Sequence, residues 1–276
     1  MKSFTISSIP IGGGNPLVLI AGPCVVENRD MIFTTAQKIK EVTTRLGIPF
    51  IFKSSYKKAN RTSMSGFVSI GMDEALAILS DVKSQLKIPI LTDVHTAEEV
   101  AAAAQVADVI QIPAFLCRQT ELLIAAGKTG KAVNVKKGQF LAPEDMKHPI
   151  EKVASTGNEK IMVTERGATF GYHNLVVDMR GLTIMRSFGY PVILDATHSV
   201  QLPSGDNGKS GGEPQHIFPI ARAGVAVGID GLFIETHPEP AKALSDSASQ
   251  LPLSHLEGLV RQVLEIDSLA KRYGWS

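Results

Sequence analysis

Short apolar runs rich in β-branched residues recur along the chain. Each is followed by a longer stretch whose apolar positions repeat every three or four residues, so the pattern alternates between strand and amphipathic helix. The runs predicted as strands are Leu17–Gly22, Pro49–Lys53, Ile88–Thr92, Asp108–Ile112, Ala132–Val135, Lys160–Thr164, Val192–Asp195 and Gly231–Glu235. The helical stretches are Arg29–Leu46, Asp73–Leu86, Ala97–Val106, Gln119–Ala126, Pro143–Thr156, Leu175–Phe188, Pro214–Val227 and Leu256–Tyr273. Asp73 suits an N-cap and Pro143 an early helical position, while Gly47, Gly127 and Gly189 suit helix stops.

Apolar runs of this kind imply a parallel sheet covered on both faces, and eight strand–helix alternations are the number that closes a (β/α)8 TIM barrel. Gly12–Gly14 precede the first barrel strand. With Phe4–Ser7 and Leu17 onward they are expected to form a short N-terminal β-hairpin closing the barrel bottom. Linkers and low-complexity tracts are absent from the sequence, so residues 1–276 are expected to form one catalytic domain.

Composition narrows the function. With 44% hydrophobic and 20% charged residues the chain is globular in type, and its net charge of +1 argues against nucleic acid or a membrane surface as partner. The N-terminus lacks the pattern of a secretory signal, and the apolar runs are strand-length. The two cysteines, Cys24 and Cys117, are too few for a disulfide framework. A cytoplasmic setting is expected.

The strand ends carry the chemistry. In this fold the C-terminal ends of the strands converge on the catalytic mouth. Here they read Ala21-Gly22-Pro23-Cys24, Lys53-Ser54-Ser55, Thr92-Asp93-Val94-His95, Gln111-Ile112-Pro113, Asn134-Val135-Lys136-Lys137, Thr164-Glu165-Arg166, Asp195-Ala196-Thr197-His198 and Glu235-Thr236-His237. A single such residue would be an ordinary loop charge, but a polar group at every end would not. Lys53, Lys58, Arg61, Lys136 and Arg166 form a cationic subset. They repel one another unless an anion neutralises them, so a phosphate or carboxylate substrate is expected.

Cys24, His198, Glu235 and Asp246 form a second subset. They come from the first, seventh and eighth strands and the loop beyond, which barrel closure makes neighbours. Thiolate, imidazole and carboxylate together favour a divalent metal, Zn²⁺ or Fe²⁺ ahead of Mn²⁺ or Co²⁺, over Mg²⁺. Asp195 is placed to orient His198. Cys117 lies on the far side of the barrel and is read as structural, with no disulfide to Cys24. His95 and His237 stand at strand ends, whereas His148, His173, His216 and His255 suit surface positions. The glycine-rich segment Leu202–Glu213 has the composition of a mobile lid.

At these residues the sequence resembles the 3-deoxy-D-manno-octulosonate 8-phosphate synthases over nearly its whole length. The motifs are Ile20-Ala21-Gly22-Pro23-Cys24, Lys57-Lys58-Ala59-Asn60-Arg61-Thr62-Ser63, Gln111-Ile112-Pro113-Ala114-Phe115-Leu116-Cys117-Arg118, Asn134-Val135-Lys136-Lys137, Arg166-Gly167-Ala168-Thr169-Phe170-Gly171-Tyr172 and Asp195-Ala196-Thr197-His198-Ser199-Val200-Gln201. The Lys-Ala-Asn-Arg core separates this family from the related synthase that uses erythrose 4-phosphate, where Lys-Pro-Arg-Thr is expected.

The resemblance implies a homotetrameric transferase of lipopolysaccharide precursor synthesis. It would condense phosphoenolpyruvate with D-arabinose 5-phosphate and release inorganic phosphate. Lys58, Lys136, His198 and Asp93 are then expected in catalysis, and Lys53, Asn60, Arg61, Thr62, Gln111 and Arg166 in substrate binding. Arg61 would reach across from a neighbouring subunit. Cys24, His198, Glu235 and Asp246 would be the ligands of the metal-dependent branch, since the metal-independent branch carries asparagine at the cysteine position. Thr62 replaces a usual serine, and Ser245-Asp246-Ser247-Ala248 lacks a glycine that many relatives have after the aspartate. A metal-dependent aldolase barrel is the competing enzyme reading but gives no reason for so many cations. A non-catalytic binding barrel needs neither the polar strand ends nor a lid.

Overall fold

A computed structural model describes residues 1–59, 66–206 and 209–273 of the chain. The barrel strands are β3 (Val18–Gly22), β4 (Phe50–Lys53), β5 (Ile90–Asp93), β6 (Val109–Ile112), β7 (Ala132–Lys136), β8 (Ile161–Glu165), β9 (Val192–Asp195) and β12 (Gly231–His237). They are preceded by β1 (Ser3–Ile6) and β2 (Ile9–Gly12), while β10 (Gln201–Asp206) and β11 (Lys209–Gly212) intervene before β12 and the two-residue β13 (Leu251–Pro252) follows it. Neighbouring barrel strands are parallel, and closure comes from β12, which pairs with β9 on one side and β3 on the other. This is the predicted (β/α)8 barrel.

The helices α1 (Arg29–Leu46), α2 (Met72–Leu86), α3 (Ala97–Val106), α4 (Thr120–Lys128), α5 (Lys147–Ala154), α6 (Met179–Arg186), α7 (Ile217–Val227) and α8 (Leu256–Tyr273) cover the outside. Local chemistry sets their ends. In α1 the Asn28 side chain accepts from the Met31 N–H, and Gly47 closes the helix in the left-handed region at φ 70°. Elsewhere the expected caps shift. Asp73 lies in the first turn of α2 rather than before it, where its charge opposes the helix dipole favourably. Gly127 sits inside α4, not after it. A Cβ there would meet Thr156 Oγ1 at 2.6 Å, so the glycine permits close helix packing instead of a stop. The Pro143 helix begins as a 3₁₀ turn, Pro143–Met146. α6 starts at Met179 rather than at the expected Leu175, because Val176 is held in an antiparallel bridge with Ala168.

Alternation along each strand divides the apolar residues into two cores. Leu19, Ala21, Phe50 and Phe52 face the helices in the larger cluster, whereas Val18, Ile20, Ile51, Leu91, Val109, Met162, Ile193 and Phe233 fill the barrel. The inner core is completed from below by Ile6 and Ile11. The predicted hairpin therefore exists, but it pairs β1 with β2 across Ser7 and Ser8 rather than with Leu17 onward. Burying each isoleucine is worth about 1.5–3 kcal/mol. Lys2 secures the hairpin through its N–H to Gly189 O at 2.7 Å and its ammonium to Tyr190 Oη at 2.7 Å.

The glycine-rich segment after β9 is more regular than a loop. β10 and β11 pair antiparallel, with Gln201 opposite Gly212 and Asp206 opposite Lys209. Asn207 and Gly208 lie outside the described residues, as do Asn60, Arg61 and Thr62.

Candidate active site

The upper rim of the barrel gathers the predicted residues into one place. Lys53, Lys58, Asp93, Gln111, Lys136, Arg166, His198 and Glu235 line a single cavity of about 150 Å³. Strand register brings them there: each strand ends at a similar height, so the last inward-pointing residue of each faces the axis. Close approach at the first strand helps. A Cβ on Gly22 would meet Lys53 O at 2.0 Å, so only glycine lets β3 lie this near β4 and deliver Cys24 to the mouth.

The three lysines are already paired with carboxylates. Lys53 Nζ donates to Glu235 Oε1 at 2.5 Å, Lys136 Nζ to Asp195 Oδ2 at 2.5 Å, and Lys58 Nζ to Asp246 Oδ2 at 3.1 Å. This corrects the expectation that a bound anion alone must neutralise the cations. Arg166 differs. Its guanidinium is buried with no carboxylate of the described residues in hydrogen-bond reach, its Nη2 donates to Gln201 Oε1 at 2.8 Å, and its Nη1 has no partner among the described residues. An unpaired guanidinium nitrogen in a buried wall is the strongest anion-seeking group in the cavity.

Burial and charge compete at each ionisable group. Burial opposes ionisation of Asp93, but Lys53, His95 and Lys58 outweigh it and hold the carboxyl well below its ordinary range. Glu235 and Asp246 are likewise held down against burial, by Lys53 and Lys58 respectively and by His198. Lys58 is raised despite burial, through Asp246 and Cys24, so it stays an ammonium. Phe233 belongs to the inner barrel core, and Lys136 Nζ lies 4.1 Å from its ring centroid.

Three of the four expected metal ligands converge, and His198 stands beside them outside the group. One donor atom each from Cys24, Glu235 and Asp246 lies within 4.8 Å of the other two. His198 Nε2 is 3.7 Å from Glu235 Oε2 and 3.9 Å from Asp246 Oδ2. Glu235 Oε2 is buried without a hydrogen-bond partner among the described residues, which suits a position facing a cation. Cys24 Sγ donates to Asp246 Oδ2 at 2.9 Å and accepts from Lys58 Nζ at 3.0 Å. Burial, then Asp246 and Glu235, push this thiol well up, and a divalent ion would reverse that balance. The donor set fits a divalent cation. Asp246 takes φ 50°, a left-handed conformation rare for a non-glycine residue, in the loop that lacks the usual following glycine.

Asp195 orients His198 as expected, with Oδ2 2.6 Å from Nδ1. His95 lines the cavity, while His237 Nε2 lies 3.6 Å from Glu27 instead. His173 Nδ1 lies 2.7 Å from Pro203 O at the foot of the β10–β11 hairpin. Cys24 and Cys117 are both free thiols, and Cys117 packs beside Gly138 away from any ligand set.

Sequence reading missed two residues that organise the site. Gln201 spans its halves, since its Nε2 donates to Asp246 Oδ1 at 3.0 Å while its Oε1 receives Arg166. Glu99 binds the segment leading to Lys58: it accepts from Tyr56 Oη at 2.5 Å and from Lys57 Nζ. Its only sequence signal, an acid in the first turn of a helix, is one that many helices share.

Residues 3–272 match the model of the DAHP synthetase I family. The chain is 56% identical to the 2-dehydro-3-deoxyphosphooctonate aldolase of Trichlorobacter lovleyi, over 98% of this chain and 99% of that protein. It is 55% identical to the protein of the same name from Stenotrophomonas maltophilia, over 96% of each. The corresponding figure for Geobacter sulfurreducens is 51%, over 98% of this chain and 99% of the relative.

Proposed function

The chain belongs to the DAHP synthetase I family, and from that premise we propose that it is a transferase making 3-deoxy-D-manno-octulosonate 8-phosphate. Its substrates are phosphoenolpyruvate, D-arabinose 5-phosphate and water, and its second product is inorganic phosphate. The observation that carries this reading is one cavity bringing Lys53, Lys58, Lys136 and Arg166, whose Nη1 has no partner among the described residues, together beside Cys24, Glu235 and Asp246. The full-length similarity to enzymes named 2-dehydro-3-deoxyphosphooctonate aldolase supports it.

In this reading Arg166 and Lys136 grip the phosphate of phosphoenolpyruvate, while Lys53, Lys58 and Gln111 receive its carboxylate. Asn60, Arg61 and Thr62 take the pentose phosphate. So held, C3 of phosphoenolpyruvate attacks the aldehyde carbon of the open-chain sugar; a C–C bond forms, the C=O π bond opens and its oxygen takes up a proton. Water adds at C2, and the hemiketal phosphate loses phosphate by C–O cleavage to leave the C2 ketone, with one water proton replacing the one taken up and the other leaving to the departing phosphate or solvent. The paired lysines contribute orientation and charge stabilisation from fixed positions, without reorganising during the reaction. Asp93, kept ionised, balances the cations on the far wall. His198, Cys24, Glu235 and Asp246 would hold a divalent cation, Zn²⁺ or Fe²⁺ by donor type, which supplies Lewis-acid polarisation at that end of the cavity. The β10–β11 hairpin acts as the lid. We further read the protein as a cytoplasmic homotetramer, as the family resemblance implies; separately, no helix among the described residues is long and apolar enough to cross a membrane.

The test follows phosphate release from phosphoenolpyruvate with arabinose 5-phosphate or erythrose 4-phosphate, each with and without exhaustive chelation. Turnover with the pentose phosphate, lost on chelation and restored by metal, is expected. Turnover with the tetrose phosphate alone would overturn the substrate assignment, and full activity in metal-free protein would overturn the metal.

A further inference from the structure

A chain of hydrogen bonds crosses the inside of the barrel, and its far end never reaches the cavity. Ser55 Oγ donates to Asp93 Oδ2 and Gln111 Nε2 to Asp93 Oδ1. Asn134 Nδ2 donates to Gln111 Oε1 at 2.8 Å, and Thr164 Oγ1 to Asn134 Oδ1 at 2.7 Å. Asp93, Gln111, Asn134 and Thr164 stand on the consecutive strands β5, β6, β7 and β8, and all are buried. Register places Asp93 beside Gln111 and Gln111 beside Asn134. Asp93 and Gln111 line the cavity, whereas Asn134 and Thr164 do not.

The direction of this relay is forced by one member. An ionised carboxylate only accepts, so Gln111 must turn its nitrogen toward Asp93. Its oxygen then needs a donor, which the Asn134 nitrogen supplies. The Asn134 oxygen in turn needs a donor, and the Thr164 hydroxyl is the group that can rotate to provide one. Reversing any amide sets two acceptors against each other in a buried layer. Because Asp93 is on the cavity side and Asn134 behind it, the cavity-side atom of Gln111 is the nitrogen. That nitrogen has two hydrogens and Asp93 takes one.

We propose that Asn134 and Thr164 are positioning residues whose hydrogen bonds hold Gln111 with an N–H, not a carbonyl oxygen, toward the phosphoenolpyruvate site. The assignment rests on the substrate reading given above. A flipped Gln111 would show an acceptor both to the anionic ligand and to Asp93. The relay therefore sets the sign of one wall of an anion site from two strands away, using residues that touch no ligand.

Thr164→Val and Thr164→Ser separate the hydroxyl from the volume. Thr164→Ser keeps the donor, and its KM for phosphoenolpyruvate should stay within about twofold of wild type. Thr164→Val leaves the Asn134 oxygen without a donor, and KM and calorimetric Kd for phosphoenolpyruvate should rise about tenfold, equivalent to about 1.4 kcal/mol. The KM for arabinose 5-phosphate should not move in either, which a general loss of structure would not allow. Asn134→Asp tests the same relay from its middle by placing an acceptor against Gln111 Oε1, and should weaken phosphoenolpyruvate roughly a hundredfold. Wild-type phosphoenolpyruvate binding in either Thr164→Val or Asn134→Asp, with circular dichroism showing a folded barrel, overturns the relay. Equal losses in Thr164→Ser and Thr164→Val overturn it as well. A wild-type protein that releases no phosphate from phosphoenolpyruvate instead overturns the substrate reading.

Discussion

Replacing Asp195 by asparagine removes one charge and almost no volume, from a carboxylate that serves both halves of the cavity. Its Oδ1 accepts from Thr197 N at 3.1 Å, Thr197 Oγ1 at 2.9 Å and His198 N at 2.9 Å. An asparagine oxygen can keep those three. The other oxygen, 2.5 Å from Lys136 Nζ and 2.6 Å from His198 Nδ1, becomes an NH₂ facing two donors. Two losses follow. The Lys136 ammonium, only 5% exposed, loses its counter-charge, and breaking a buried pair from one side costs about 3–5 kcal/mol. At about 2–4 °C per kcal/mol for a chain near this size, even the low end lowers the melting temperature by about 6–12 °C. The imidazole also loses the acceptor that fixes its ring and tautomer, so Nε2 is no longer held with its lone pair toward Glu235 and Asp246. Loss of such a supporting carboxylate typically weakens metal affinity by about 10–100-fold. Thermal unfolding in chelator reads the first loss alone, and competition with a chromophoric chelator reads the second. A variant that melts within about 2 °C of wild type and keeps its metal affinity would refute both arguments.

Three further outcomes are expected. Cys24→Ala should remain folded by circular dichroism yet lose stoichiometric metal and most turnover, and unchanged metal content after dialysis would remove Cys24 from the ligand set. Ile11→Ala, in the hairpin that closes the barrel, should cost about 2–5 kcal/mol in urea unfolding while leaving KM values unchanged, and a cost under about 1 kcal/mol would mean the hairpin does not complete the inner core. Burial opposes ionisation of Glu99, but bonds from Lys57 and Tyr56 win and bring its carboxyl to about 2 from an ordinary 4.5. A depressed carboxyl stabilises the fold fully above the higher value and loses that contribution as pH falls toward the lower one. Glu99→Gln should therefore be less stable than wild type by about 1–3 kcal/mol at pH 7, with the gap shrinking by pH 3, and a pH-independent gap would contradict the ion pair.

The barrel was legible because each strand is apolar on both faces, so run and element coincide closely in β3, β7 and β9. The grouping of Cys24 with Glu235 and Asp246 was legible for a related reason: barrel closure makes the first and last strands neighbours whatever the loops do, and β12 does pair with β3. What stayed hidden depended on how side chains meet across strands. Lys53 pairs with Glu235 and Lys136 with Asp195, pairings between residues 182 and 59 positions apart that no local pattern encodes. Asn134 and Thr164 read only as polar interruptions of apolar runs, since their importance lies in which atom of a neighbour they touch. Gly127 misled because a glycine needed for close packing looks, in sequence, like one needed for a turn.

The closing seam between β3 and β12 also has a meaning in time. Cys24 and Asp246 meet across 222 positions, so during synthesis the cysteine emerges early and its partner almost last. Throughout that interval the thiol lacks Asp246 as its acceptor and the neighbouring strand β12 that closes the seam, with only Lys58 of its side-chain partners already made. Any oxidant present then acts on an ordinary open cysteine, while the finished barrel offers it none. Refolding yields should accordingly depend on thiol reductant during barrel closure and become indifferent to it afterwards.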